Sequence, residues 1–303
     1  MCKDSIEISE QIKFPKYRFN KIIIAGMGGS AAGGYIIRDF LRDKINIPIE
    51  VSRSFDLPNY ADKKTLVFCI SYSGNTRETL SQFSQALKKK CKIICITSDG
   101  KLSKKCKKLK IPFVNIPQGL LPREAFPYLF FPLLIYLQKL KLINIKFKDI
   151  FSISDKINIK EIKKFAKKLK ESIIFIYAPN HLEGVGNRIK NQLNENSKLI
   201  AKVEILPELM HNEIESLYEK KEKISIIFLN DYKNKKITKY FNILKEIINN
   251  KFNVIEISTK DKQELAKIIY FIYFGDLLSI EIAKEKKINY KKTDNIDFVK
   301  SKI

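Results

Sequence analysis

The sequence predicts an α/β protein with two domains, each a parallel β-sheet flanked by helices in a three-layer α/β/α sandwich. The chain has 303 residues, about twice the commonest size of a single domain. Short apolar runs alternate with longer amphipathic segments, as strands alternate with the helices that connect them. The second half repeats this alternation, although its sequence does not visibly repeat that of the first half.

Short apolar runs in the first half are predicted as strands, at residues 21–25, 47–51, 66–71, 92–97 and 112–116. A glycine loop and a helix follow the first strand over residues 26–41, and a second helix covers residues 76–90. The apolar stretch 125–137 contains two prolines and is too short to span about 30 Å of hydrocarbon. We therefore predict it as a buried helix.

The second half contains predicted strands at residues 172–177, 224–229 and 253–257, and predicted helices at residues 184–196 and 262–284. Its most apolar stretch, residues 268–280, is interrupted by Gly275 and Asp276 and is also predicted as a buried helix. Residues 141–160 lack clear periodicity and are predicted as the linker. The predicted domains are residues 1–145 and 146–303.

The net charge of +24 at pH 7 raises the question of a nucleic-acid partner. The excess is almost all lysine, spread along the whole chain. Arginine is the better bidentate ligand of phosphates and guanines, so a nucleic-acid surface built from lysine would be unusual. We predict solvated lysine surfaces and no nucleic-acid partner, with a charge that can attract an anionic substrate.

The cysteines are odd in number, lie in the first half and form no C-x-x-C pair: Cys2, Cys69, Cys91, Cys95 and Cys106. The two histidines, His181 and His211, lie far from them in sequence. This distribution predicts free thiols in a reducing cytoplasm, without a disulfide framework or a metal site. The N-terminal residues lack the apolar segment of a secretory signal, so we expect a cytoplasmic protein without a membrane partner.

A glycine-rich loop follows the first predicted strand, in the run IIIAGMGGSAAGGY. Gly26, Gly28 and Gly29 allow a tight turn and a close approach of backbone N–H groups to a ligand, and Ser30 adds a hydroxyl. The next helix directs its N-terminus to the same place, where an anion is stabilised. The loop therefore predicts an anion site.

The same loop also fits a looser dinucleotide-binding pattern, Gly26-x-Gly28-x-x-Ala31, with Glu50 at a suitable distance for a ribose contact. Taken alone, it does not distinguish a nucleotide from a sugar phosphate. A nicotinamide-dependent dehydrogenase remains an alternative at this point.

A second loop follows the predicted strand at residues 66–71 and places the hydroxyls of Ser71, Ser73 and Thr76 around a tight turn at a helix N-terminus. These hydroxyls can donate to phosphate oxygens where the helix dipole favours negative charge. The turn contains no lysine, whereas a P-loop contains one. An ordinary helix cap at Thr76 would explain one hydroxyl and leave the other two unexplained.

The pattern S-x-S-G-x-T after a strand, with G-M-G-G-S upstream, resembles the phosphate loop of sugar-isomerase (SIS) domains. Such domains occur in phosphosugar isomerases, glucosamine-6-phosphate synthase and sugar-sensing regulators. The resemblance implies that Ser71, Ser73 and Thr76 bind a substrate phosphate. It also implies that Gly29 and Ser30 line the sugar side.

Four further segments resemble the bifunctional phosphoglucose/phosphomannose isomerases: L-P-R at residues 121–123, N-E-N-S-K at 194–198, L-P-E-L-M-H-N-E-I at 206–214 and I-D-F-V-K at 296–300. The resemblance extends from Gly26 to the C-terminus. SIS-domain regulators and synthases lack these segments. The family resemblance implies two SIS-type domains and an isomerase that acts through an enediolate.

The family resemblance also implies a role for individual residues. Glu195 would move the proton between C1 and C2 of the sugar, and Arg123 would stabilise the enediolate. His211, contributed by the partner subunit of a homodimer, and Lys300 would open the sugar ring. Thr293 matches a threonine linked to the use of both glucose and mannose substrates.

The expected reaction interconverts glucose 6-phosphate and fructose 6-phosphate, and mannose 6-phosphate and fructose 6-phosphate, without a metal or organic cofactor. It could serve glycolysis, gluconeogenesis or mannose supply. The alternative is a non-catalytic SIS-domain sensor of sugar phosphates, which would need the loops but not Glu195, His211 and Arg123 together. His181 has no motif around it and is predicted to be structural or peripheral.

Overall fold

The structure, a computed structural model, describes residues 1–219, 223–232, 234–248 and 250–302. The chain forms two compact units, Met1–Phe147 and Lys148–Ile303. All strand pairs in both units are parallel, and each sheet has helices packed against it. The predicted α/β class is confirmed.

The first unit contains a five-stranded sheet in the order β2-β1-β3-β4-β5. Its strands are β1 (Lys21–Ala25), β2 (Ile49–Ser52), β3 (Thr65–Ile70), β4 (Lys92–Thr97) and β5 (Phe113–Asn115). The strand order reverses between β1 and β3, so the connections leave their carboxyl ends in opposite directions. Such a reversal opens a crevice at the carboxyl edge of the sheet, where α/β proteins bind ligands.

The helices of the first unit are α1 (Cys2–Gln11), α2 (Gly29–Leu41), α3 (Arg77–Lys88), α4 (Gly100–Leu109) and α5 (Phe126–Lys139). Helices α2 and α5 pack together where Gly33 faces Phe130, since a Cβ on Gly33 would lie 3.6 Å from the Phe130 Cβ. Helix α5 is buried along most of its length, as predicted for residues 125–137. On the other face, Phe83 of α3 and Leu102 of α4 enter a fully buried core.

The second unit contains a four-stranded sheet in the order β7-β6-β8-β9. Its strands are β6 (Ile173–Pro179), β7 (Ala201–Leu206), β8 (Ile224–Asn230) and β9 (Asn253–Ser258). The order again reverses, here between β6 and β8. Strand β7 was not among the predicted strands. It lies at the sheet edge with Lys202 and Glu204 only half-buried, so its apolar signal is weak.

The helices of the second unit are α6 (Ile159–Leu169), α7 (Glu183–Ser197), α8 (Lys235–Ile248), α9 (Glu264–Glu285) and α10 (Asp294–Lys302). Helices α6 and α7 pack on α9, and α8 covers the opposite face, where the rings of Phe228 and Phe241 lie 5.1 Å apart. Although α9 is the longest of these helices, no helix of the described residues is both long and apolar enough to cross a membrane.

Candidate active site

The first glycine loop joins β1 to α2 and needs glycine at two of its positions. Gly28 has φ +52° and ψ −123°, a conformation that residues with a side chain rarely adopt. A Cβ on Gly26 would lie 3.1 Å from the Ile70 carbonyl oxygen. The glycines therefore let the loop turn against the end of β3 and start α2 at the carboxyl edge of the sheet.

In the second loop, the hydroxyls of Ser71 and Thr76 lie 2.9 Å apart and hydrogen-bond to each other. Thr76 occupies the N-cap position of α3, but its side chain makes no cap bond to the helix, so the ordinary cap does not account for its hydroxyl. Ser73 is exposed and accepts a hydrogen bond from the Asn75 N–H at 3.3 Å. Ser71 has no exposed surface, so Ser73 and Thr76 form the accessible part of this cluster.

Gly74 shapes this loop by packing against the connection between β4 and α4. It has φ +66°, and a Cβ on it would lie 1.7 Å from the Asp99 carbonyl oxygen. Its carbonyl accepts a hydrogen bond from the Leu102 N–H at 2.9 Å, and its N–H donates to the Ser71 carbonyl at 3.1 Å. The loop is thus fixed from both sides, and the hydroxyls of Ser73 and Thr76 on either side of Gly74 are fixed with it.

Tyr72 connects the two loops to the segment before α5. Its N–H donates to the Ser30 hydroxyl oxygen at 3.4 Å. Its own hydroxyl donates to the Pro117 carbonyl at 3.1 Å and accepts from the Leu120 N–H at 2.9 Å. The sequence drew attention to the hydroxyls on either side of Tyr72 and not to the tyrosine that holds them.

Arg123 lies directly beside the first loop. A Cβ on Gly29 would lie 3.2 Å from the Pro122 carbonyl oxygen and 3.5 Å from the Arg123 Cα, and the arginine is 5% exposed. The structure therefore brings the predicted site residues of the first unit together at one edge. A cavity of about 740 Å³ is lined by Met27 of the first loop and by residues at and after the end of β2.

The same contact argues against a dinucleotide at the first loop. A pyrophosphate needs open space over the glycines of its loop, and here the backbone at Pro122 covers Gly29. Glu50, the candidate ribose ligand, accepts a hydrogen bond from the Tyr60 hydroxyl instead. A sugar phosphate, which needs only the hydroxyls and the helix N-termini, fits the site better.

Glu195 lies near the end of α7, half-buried and two residues before the last helical residue, Ser197. Helix α7 starts at the carboxyl edge of the second sheet, because it follows β6, and it returns to the amino edge, because β7 is parallel to β6. Glu195 therefore lies at the amino edge of this sheet.

Thr293 is held near the same helix end. The ammonium group of Lys198, the residue after α7, donates to the Lys292 carbonyl at 2.6 Å and to the Glu195 carbonyl. Thr293 directly precedes α10, and its hydroxyl donates to the Asp297 side chain in the first turn of that helix at 3.1 Å. Lys300 follows on α10 about two turns later, on the same side of the helix as Thr293, with its side chain 66% exposed.

His211 lies at the opposite edge of the second sheet, in the short 3₁₀ turn Glu208–His211 after β7. It is exposed. The turn is held to the sheet by Glu213, which accepts hydrogen bonds from Lys202 at 2.8 Å and from the Tyr177 hydroxyl at 3.4 Å. Burial and the neighbouring Glu213 raise the pKa of Tyr177, so the phenol stays a neutral donor.

The structure does not bring Glu195 and His211 together within one chain. Strand β7 begins four residues after Ser197 and runs for six residues to the turn that carries His211. At the usual rise per residue, this strand separates the two ends by roughly 17 Å. One chain therefore cannot present both side chains to the same sugar carbons.

His181 joins a cluster that the sequence did not reveal. Its Nε2 lies 3.0 Å from the Asp231 carboxylate, and the Lys267 ammonium donates to the Asp231 carbonyl at 3.2 Å and lies 3.8 Å from the carboxylate. Asp231 and Lys267 are buried. The cluster joins the loops after β6 and β8. His181 thus has a structural contact, in line with its prediction as structural or peripheral.

The cysteines of the sheet core are unsuited to catalysis. Cys69 and Cys95 face each other in the register of β3 and β4 and are fully buried, and burial raises the pKa of Cys95. All five cysteines are free thiols. Within the described part of the chain, there is no cluster of three or more His, Cys, Asp or Glu residues that could bind a metal.

Comparison with known proteins agrees with this arrangement. Residues 17–115 match the SIS domain model, and residues 158–303 match the model of the bacterial phosphoglucose isomerase C-terminal SIS domain. The bifunctional phosphoglucose/phosphomannose isomerase of Caldicellulosiruptor bescii is 36% identical over 94% of this chain and 89% of its own length. The enzyme of the same name from Thermoplasma volcanium is 33% identical over 99% of this chain and 96% of its own length.

The chain belongs to the bifunctional phosphoglucose/phosphomannose isomerase family. The solved structures that it resembles are more distant and show the fold alone. Glucosamine-6-phosphate deaminase from Thermotoga maritima has a TM-score of 0.72 at 14% identity, over 96% of this chain and 94% of that one. The C-terminal domain of the glucosamine-fructose-6-phosphate aminotransferase of Francisella tularensis has a TM-score of 0.71 at 17% identity, over 95% and 88%. Two SIS-type domains are thus confirmed for this member of the family.

Proposed function

We propose that the chain is an aldose–ketose isomerase that interconverts glucose 6-phosphate and fructose 6-phosphate, and mannose 6-phosphate and fructose 6-phosphate, through an enediolate. The observation that carries the proposal is the hydroxyl cluster of Ser71, Ser73 and Thr76 at the N-terminus of α3, in a member of the phosphoglucose/phosphomannose isomerase family. Among the residues that the structure describes, no feature favours a sensor without catalysis.

The phosphate of the substrate binds at the second loop in this proposal. The hydroxyls of Ser73 and Thr76 donate to its oxygens, while Ser71 orients Thr76 through their mutual hydrogen bond. The positive end of the α3 dipole adds to the attraction for an anion. Gly29 and Ser30 then lie beside the sugar.

Glu195 acts as the base in the proposed chemistry. Its carboxylate takes the proton from C1 of the open-chain ketose, and the electrons of the C–H bond form the enediolate. Arg123 stabilises the negative charge on the oxygen. The proton of the C1 hydroxyl moves to the oxygen on C2, and the protonated Glu195 returns its proton to C2, which gives the aldehyde at C1 and restores the carboxylate.

Ring opening is assigned to His211 and Lys300, which move a proton between the ring oxygen and the anomeric hydroxyl. Because β7 keeps His211 away from Glu195 of the same chain, we propose a homodimer in which each site takes His211 from the partner subunit. Thr293, near the end of α7, influences whether glucose 6-phosphate or mannose 6-phosphate is formed. The buried free thiols suit a reducing cytoplasm as the location of the enzyme.

A coupled assay tests the proposed function. The purified protein is given fructose 6-phosphate without added metal, and the formation of glucose 6-phosphate and of mannose 6-phosphate is followed separately. Formation of both products is expected. Glucose 6-phosphate alone would remove the second activity and the role of Thr293, and tight binding of fructose 6-phosphate without either product would support a sensor.

A further inference from the structure

Lys198 joins two segments that belong to the proposed chemistry. It is exposed, and its ammonium group donates to the carbonyl of Glu195 and to the carbonyl of Lys292. The first carbonyl belongs to the residue assigned as the base. The second belongs to the residue that precedes Thr293, so a single side chain links the two positions.

Hydrogen bonds hold the C-terminal end of α7, one of the two segments that Lys198 joins. Lys198 takes a left-handed conformation, with φ +55°, that stops the helix. The Leu199 N–H returns to the Leu193 carbonyl at 3.2 Å, and the Asn194 side chain donates to the Leu199 carbonyl at 2.7 Å. These bonds close the helix end, as in other left-handed caps, and hold the Glu195 backbone.

The segment that carries Thr293 has much less packing of its own. Its local bonds include a turn in which the Asn289 carbonyl accepts from the Lys292 N–H at 3.3 Å and the Asn289 side chain accepts from the Lys291 N–H at 2.9 Å. Thr293 also bonds to Asp297. Because no residue of α10 is buried, the Lys198–Lys292 bond is a direct tie between this segment and the end of α7.

We propose that Lys198 is a positioning residue that sets the place of Thr293 relative to Glu195 and so influences which aldose is formed. The inference rests on the proposed function. Glucose 6-phosphate and mannose 6-phosphate differ only at C2, so the same C1–C2 enediolate is common to both. The face of C2 that receives the proton from Glu195 decides the product, and a shift of Thr293 alters that choice.

The experiment compares Lys198→Met and Lys198→Arg. Methionine keeps the length and apolar stem but cannot donate to either carbonyl, whereas arginine keeps several donors. The measured quantity is the ratio of the initial rates at which fructose 6-phosphate gives the two aldoses. We expect Lys198→Met to change this ratio by about threefold or more, since small misplacements at an active site have large effects on rate. We expect Lys198→Arg to keep the wild-type ratio.

This ratio does not depend on how much of the protein is folded, so a purely structural role for Lys198 would leave it unchanged. Lys198→Leu, which also cannot donate, serves as a second variant if the methionine variant does not fold. Lys284→Met is the matched control, because Lys284 is an exposed lysine of the same unit whose ammonium contacts Glu281. Its ratio should equal that of the wild type.

Thr293→Ala separates failure of this inference from failure of the proposed function. If it changes the product ratio while Lys198→Met and Lys198→Leu do not, the inference is overturned and the isomerase proposal stands. If the wild type forms no aldose at all, both are overturned. A changed ratio in the methionine variant, with the wild-type ratio in Lys198→Arg and Lys284→Met, supports the positioning role.

Discussion

The two units have the same strand reversal but very different side chains at the carboxyl edge beside it. In the first unit, the loops after β1 and β3 present glycines and the hydroxyls of Ser71, Ser73 and Thr76. In the second unit, the loops after β6 and β8 are joined by His181 and Asp231, with Lys267 beneath them. One edge has accessible hydroxyls for a ligand, while the other has charged groups that satisfy one another.

The difference shows that a topological crevice is not yet a binding site. The reversal of strand order supplies the place in both units, and the loop residues decide whether a ligand can use it. The second unit contributes its proposed base from the amino edge, at Glu195 on the end of α7. The comparison therefore predicts that variants at these edges differ sharply in their effect on activity.

The largest effect is expected at the amino edge of the second sheet. Glu195→Gln should lower kcat by about 10²–10⁴, the usual contribution of a general base, and leave the affinity for fructose 6-phosphate unchanged. Steady-state kinetics and calorimetric titration measure the two quantities. Glu183→Gln, at the other end of the same helix, is the control and should keep kcat within about twofold. Near-normal turnover in Glu195→Gln would exclude the proposed mechanism.

A large effect is also expected from Gly74→Ala in the second loop. The added Cβ would collide with the Asp99 carbonyl and require a left-handed backbone, so the free energy of unfolding should fall by more than about 2 kcal/mol. The KM for fructose 6-phosphate should rise together with this loss. Thermal unfolding and kinetics test both.

Gly119→Ala is the matched control for Gly74→Ala. Gly119 also has a positive φ, but nothing lies within 4 Å of its Cβ position. The free energy of unfolding of Gly119→Ala should fall by only about 1 kcal/mol, because alanine disfavours the left-handed backbone conformation. Equal losses in the two variants would mean that the contact with Asp99 does not hold the loop.

A smaller effect is expected when only a hydroxyl is removed. Thr76→Val keeps the shape of the side chain and removes one donor to the phosphate, so KM should rise about tenfold, in line with a hydrogen bond to a charged group. Thr79→Val is the comparison, since Thr79 is buried in α3 and its hydroxyl donates to the Ile70 carbonyl at 3.5 Å. If both variants raised KM equally, the phosphate would not bind at Thr76.

The smallest effect on activity is expected at His181, in the turn after β6. His181→Ala removes the partner of Asp231 and should lower the free energy of unfolding by about 1 kcal/mol, with kcat within about twofold of the wild type. His211→Ala, the variant of the other histidine, should lose most of its activity and little stability, because His211 is exposed. A loss of activity in His181→Ala would indicate that the crevice at the carboxyl edge of the second sheet takes part in function.

The sequence predicts the parallel sheets and the two loops well, because buried strands and glycine-rich turns leave strong local signals. Strand β7 was missed, since an edge strand with Lys202 and Glu204 half-buried has little apolar pattern. The division at 145/146 stays a prediction, although the compact units meet at Phe147 and Lys148. Helix α6 begins at Ile159, inside the segment predicted as the linker.

The candidate site residues came from motifs, while the contacts that position them did not. Nothing in the local pattern around Tyr72 or Lys198 reveals a partner 48 or 94 residues away. The pairing of His181 with Asp231 likewise joins positions 50 residues apart. Such contacts depend on which strands become neighbours, and that is a property of the whole sheet.

The length of β7 has a genetic consequence. Since it holds Glu195 and His211 at opposite edges, a mixed dimer of one Glu195→Gln chain and one His211→Ala chain would contain one site with both residues intact and one site with neither. Co-expression of these two inactive variants should therefore recover about a quarter of the wild-type activity, by random pairing of subunits in the proposed two-fold dimer. Two alleles that each encode an inactive chain would then complement each other.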